Sequence, residues 1–87
     1  KAENKPLKMS YAEQKDFESI NDKIETLEKD ISDIESMISE ISTDYVKLQE
    51  LTEQRDLLNL QLEQTMERWI YLNELNEEIQ KNKASMH

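Results

Sequence analysis

The sequence predicts an all-α chain folded as a two-helix antiparallel coiled-coil hairpin. Three observations lead there. Phe17, Ile20, Ile24, Leu27, Ile31, Ile34, Ile38 and Ile41 recur at alternating spacings of three and four, the heptad repeat that lays one narrow apolar stripe along a helix. A leucine-rich segment from Leu48 to Ile79 carries the same repeat in a different phase. Between them stand Ser42, Thr43 and Asp44, residues that prefer caps and turns to helix interiors. With 87 residues, no glycine, one proline and 36% charged residues, the chain is too short and too polar for a layered core. Two helices that cover each other are the simplest shelter for the stripe.

The first helix announces its own start. Ser10, Tyr11, Ala12 and Glu13 have the spacing of a capping box, in which the serine hydroxyl accepts the N–H three residues on and the glutamate reaches back. Glu13 and Asp16 in the first turn suit the positive end of the helix dipole. Pro6 disfavours a helical Lys5, so residues 1–9 are expected as an extended linker. The helix should run from about 11 to 41, roughly 45 Å at 1.5 Å per residue.

Phase decides the path of the second segment. Continuing the first stripe past Ile41 would place Tyr45, Leu48, Thr52, Arg55, Asn59, Leu62, Met66, Trp69, Asn73, Asn76 and Gln80 on the seam, of which five in eleven are apolar. The shifted frame Leu48, Leu51, Arg55, Leu58, Leu62, Thr65, Trp69, Leu72, Asn76 and Ile79 has seven in ten. The register therefore breaks at residues 42–44, with Asp44 as the second N-cap, and so short a connection makes the helices antiparallel neighbours. The hairpin spans 10–80, its second helix about 45–80, and 81–87 are expected as a flexible tail.

Counting outward from the turn, partners should have numbers summing to about 86 to 89. Ile38 then meets Leu48 and Leu51, Ile31 meets Leu58, Ile24 meets Leu62, and Phe17 meets Trp69. Phe17, Ile20, Ile24, Leu27, Ile31, Leu58, Leu62, Trp69 and Leu72 are the expected structural core. Leu72, Leu75 and Ile79 outrun the first helix, and Tyr11, Met9 and Leu7 are the expected cover. Arg55 falls on the seam, where its stem should lie along the groove while the guanidinium reaches solvent or an acid. A two-helix seam buries its side chains only in part, so marginal stability is expected.

Charge bounds the partners. Net charge is −9, and from Glu13 to Asp44 eleven acids face Lys15, Lys23 and Lys29. Such a face repels a nucleic-acid backbone. The candidate nucleic-acid contacts are Lys1, Lys5, Lys8 and Lys15 near one terminus, with Lys47 and Arg68 on the second helix. No cysteine is present, which excludes disulfides and cysteine-ligated metal and suits an intracellular origin. Apolar runs of a few residues exclude a membrane span. The first residue is Lys1 rather than methionine, and the chain is expected to be a fragment of a longer protein.

Chemistry has no foothold. His87 is the lone histidine and the last residue, and no serine has a histidine to activate it. Carboxylates at Asp30, Asp33 and Glu35, or at Glu74, Glu77 and Glu78, read as solvated helix faces. With no glycine there is no phosphate-binding loop. We expect no catalytic, cofactor-binding or metal-binding residue in the chain.

Lys8, Ser10, Tyr11, Glu13 and Gln14, followed by the acidic heptad helix, resemble the Lys-x-Ser-Tyr-x-Glu-Gln opening of the C-terminal domain of ABC-F ATPases of the Uup-like branch. Leu48, Leu51, Leu58, Leu62, Glu63, Arg68, Trp69 and Leu72 resemble that domain's leucine-rich stretch ending in Arg-Trp-x-x-Leu. The resemblance implies a cytoplasmic parent with two tandem cassettes that use ATP and magnesium, a linker from those cassettes at 1–9, and action on ribosomes or nucleic acid. Two functional classes are then open, with a third concerning assembly. The first is a non-catalytic interaction module, a spacer contacting ribosome, nucleic acid or protein. The second is a DNA- or RNA-binding hairpin using the terminal lysines, which the resemblance favours and the charge disfavours. The third is a homodimer of long helices; the phase break favours a monomer.

Overall fold

The computed structural model describes residues 8–41 and 43–85. Two α-helices, α1 (Tyr11–Glu40) and α2 (Tyr45–Ser85), form an antiparallel hairpin. Both helix starts are capped as the sequence predicts. The Ser10 hydroxyl accepts the Glu13 N–H at 3.2 Å, and the Glu13 carboxylate accepts the Ser10 N–H at 2.8 Å, a complete capping box. The Asp44 carboxylate accepts the Lys47 N–H at 3.0 Å, satisfying one of the donors that the start of α2 leaves open. α1 ends where Ile41 turns extended, its N–H held by the Ile38 carbonyl at 3.2 Å.

Burial follows the two predicted frames. Every α1 stripe residue from Phe17 to Ile41 is buried or half-buried, and so is every residue of the shifted frame from Leu48 to Ile79. Ile20, Ile31, Leu51 and Leu72 are the buried apolar residues among those described, and Leu72 has no exposed surface at all. Phe17, Ile24, Leu27, Leu58, Leu62 and Trp69 are half-buried, as a single seam with no third layer allows. Bonds across the seam fix its register: Glu13 with Tyr71, Asp16 with Arg68, and Asn21 with Trp69. Their residue numbers sum to 84, 84 and 90, bracketing the predicted range. Arg55 lies half-buried on the seam, with its guanidinium 3.3 Å from the Asp56 carboxylate.

Two expectations need correction. Tyr11 does not cover the far end of α2, because it is 79% exposed. It stands nine residues before buried Ile20, and at 3.6 residues per turn that puts it about 180° away from the seam. Met9, by contrast, is half-buried, while Leu7 lies outside the described residues. The second correction concerns length, since α2 runs five residues beyond the expected end at 80. Residues 81–85 contain no glycine or proline to stop a helix, and Lys83 in the last turn complements the dipole. Residues 86 and 87 lie outside the described part.

Candidate interaction surface

The open end of the hairpin carries a polar clasp. Heptad spacing continued backwards from Phe17 reaches Glu13, so the apolar stripe gives way to a carboxylate there. The Tyr71 hydroxyl donates to the second oxygen of that carboxylate, whose first oxygen already holds the Ser10 N–H. The carboxylate that closes the capping box of α1 is thus also held from α2. Tyr71 holds the Glu13 carboxyl below its ordinary range, assisted by the Ser10 N–H, and the same bond pushes the Tyr71 phenol up.

Arg68 and Trp69 extend the clasp toward the turn. The Arg68 guanidinium lies 3.2 Å from one Asp16 oxygen through both Nε and Nη2, and its carbon sits 5.3 Å from the centre of the Tyr71 ring. Lys23 approaches the other Asp16 oxygen at 3.9 Å. The Trp69 indole N–H donates to the Asn21 side-chain carbonyl at 3.1 Å, and the Asn73 amide donates to the Trp69 backbone carbonyl at 2.8 Å. Tyr71, Asp16 and Asn21 had no sequence signal for these roles beyond their level in the hairpin.

The candidate nucleic-acid contacts are scattered. Lys8 and Lys15 are exposed at the open end, and the Lys15 ammonium lies 5.8 Å from the centre of the Tyr11 ring. Arg68 is at the same end but engaged with Asp16. Lys47 is exposed at the turn, 21 residues from Arg68 and so about 31 Å away along α2. Lys1 and Lys5 lie outside the described residues. The structure therefore places Lys8, Lys15 and Arg68 at one end and leaves Lys47 at the other.

Side-chain hydroxyls serve their own helices. Ser19 donates to the Lys15 carbonyl at 3.2 Å, Ser39 to Ser36 at 2.8 Å and Thr65 to Gln61 at 2.7 Å. Asp33 is paired with Lys29 at 3.1 Å. Among the described residues no three His, Cys, Asp or Glu side chains are grouped to hold a metal ion, and no helix is long and apolar enough to cross a membrane. An open groove runs beside the seam between Ser19, Asp22 and Thr26 of α1 and Gln61 and Gln64 of α2, lined mainly by polar side chains.

Residues 8–74 match the ABC transporter C-terminal domain family. The chain is also 34% identical over 76 residues, 87% of its length, to an uncharacterized ABC transporter ATP-binding protein, YfmR, of Bacillus subtilis (strain 168). It spans 12% of that relative's length. No solved structure matches it. The family match encloses both partners of every clasp bond, from the Ser10 cap to Tyr71 and on past Leu72. This chain belongs to the ABC transporter C-terminal domain family.

Proposed function

We propose that the chain is a non-catalytic interaction module of a two-cassette ATP-binding protein of the ABC-F type, Uup-like branch. It acts as a monomeric spacer through which a cytoplasmic parent contacts ribosome, nucleic acid or protein. ATP and magnesium belong to the parent's cassettes.

The observation that carries this reading is how the side chains of a 66 × 21 × 16 Å body are used. Buried residues serve the seam, and the polar groups at the open end are spent on tying α1 to α2. A long hairpin whose first turn is fastened by a capping box is suited to reach and orientation rather than to turnover. The test is deletion of the hairpin from the full-length parent. The reading expects ATP hydrolysis by the isolated parent to persist while its sedimentation with ribosomes or capture by nucleic acid falls. Unchanged association after deletion contradicts it.

Lys8 and Lys15, both exposed at the open end, support the second reading of direct DNA or RNA binding. That reading expects affinity for a duplex that falls steeply with salt and is lost when Lys1, Lys5, Lys8 and Lys15 are neutralised. No binding at low salt rejects it.

A further inference from the structure

We propose that the face of α2 opposite the seam is a docking surface for a cationic amphipathic helix of a partner protein. This rests on the interaction-module reading and names the class of partner.

α2 carries two stripes. Besides its seam, Val46, Glu50, Glu53, Leu57, Leu60, Gln64 and Glu67 also alternate at four and three, and all seven are exposed. They extend over 22 residues, about 31 Å. Leu57 and Leu60 lie roughly 100° and 160° around the helix from seam residue Leu58, so the leucine pair looks away from α1, while Gln64 borders the groove beside the seam. Val46 is 71% exposed, Leu57 62% and Leu60 49%. One exposed leucine is ordinary, but apolar residues in heptad register with acids form the complement of a helix bearing leucines and lysines at the same spacing.

Charge selects the occupant. Glu50, Glu53 and Glu67 stand in the stripe, and Asp56 and Glu63 flank it. Of the cations beside it, Arg68 is held by Asp16 at 3.2 Å, and Lys47 stands at its turn end. A second copy would set acids against acids on a chain of net charge −9, and a nucleic acid would meet the same repulsion. A partner helix with lysine or arginine beside its apolar positions satisfies both halves of the pattern.

The probe is a synthetic peptide of about 25 residues with leucines at heptad spacing and lysines flanking them, long enough to span the stripe. Its control has the same composition with the leucines scattered around the helix. Binding to the full 87-residue chain is read by fluorescence anisotropy at about 0.15 M salt, where only nearby charges still interact. The striped peptide should bind at least tenfold tighter than the scattered one. Both L57Q/L60Q and E50K/E53K should lose at least tenfold while keeping wild-type helicity, since all four positions are exposed. Equal binding of the two peptides overturns the proposal, as does wild-type affinity in L57Q/L60Q. So does self-association in sedimentation that L57Q/L60Q abolishes. If deletion of the hairpin from the parent removes its associations while the hairpin ignores the striped peptide, the module reading stands and this partner class fails.

Discussion

The Tyr71 hydroxyl on α2 donates to the Glu13 carboxylate on α1 across 58 residues of sequence, and that same carboxylate closes the capping box at Ser10. One side chain therefore joins a local signal, the start of a helix, to a long-range one, the docking of the second helix. The direction in which the chain enters the hairpin is coupled to the position of α2.

That bond gives stability a pH dependence at both extremes. The folded Glu13 carboxyl titrates below its ordinary 4.5, chiefly through Tyr71 and then Ser10, so its contribution is present above that value and is lost as pH falls through the folded value. The folded Tyr71 phenol titrates above its ordinary 10.0, through Glu13 first, so its contribution is complete below 10.0 and is lost as pH rises through the folded value. Tyr71→Phe should flatten both limbs of the urea midpoint against pH. It should also raise the Glu13 carboxyl midpoint, read by NMR, toward 4.5; an unmoved midpoint would mean that the bond is not formed.

Leu72 is where the seam is driest. Leu72→Ala should cost about 2–5 kcal/mol, a large part of what a two-helix seam supplies. Leu57→Ala, on an exposed site, should stay within about 0.5 kcal/mol. Urea unfolding followed by circular dichroism compares the two, and equal effects would count against the assigned faces of α2.

The Asp16–Arg68 pair should contribute little despite its 3.2 Å contact, because both side chains remain more than a third exposed. A double-mutant cycle with Asp16→Asn and Arg68→Gln should give a coupling of about 1 kcal/mol or less that shrinks as salt is added. A larger, salt-insensitive coupling would show a drier clasp than the one described.

At the turn, Asp44→Ala removes the acceptor for the Lys47 N–H and should cost about 1 kcal/mol. Asp44→Asn keeps an oxygen in place and should be nearly neutral. Thermal melts of the two variants separate a capping role from a purely charged one.

The sequence made legible whatever depends on period and local chemistry. Ser10 with Glu13, and Asp44 at the break, cap as their side chains require. The two seam frames were readable because apolar residues repeat with the helix period, and the register followed from the short connection. The clasp was not readable. Which hydroxyl meets which carboxylate depends on side-chain reach at one level of the hairpin, and neither Tyr71 nor Asn21 belongs to a spacing pattern that signals a partner. Tyr11 misled because apolar character suggested cover, whereas its angle around α1 turns it to solvent. Arg68 stood out as a basic residue of the second helix and a candidate nucleic-acid contact, and three-dimensional placement gave it an acidic neighbour.

The most direct measurement is the spin-label distance between Cys substituted at Ser19 and at Gln64, which line the same groove beside the seam. It is made on doubly labelled chain diluted into an excess of unlabelled chain. Reversal within one polypeptide predicts a short distance, set by a helix spacing of about 8–10 Å plus the label arms, and unaffected by dilution. A separation near the roughly 68 Å of a straight helical rod, or a short distance that disappears on dilution, would contradict the hairpin.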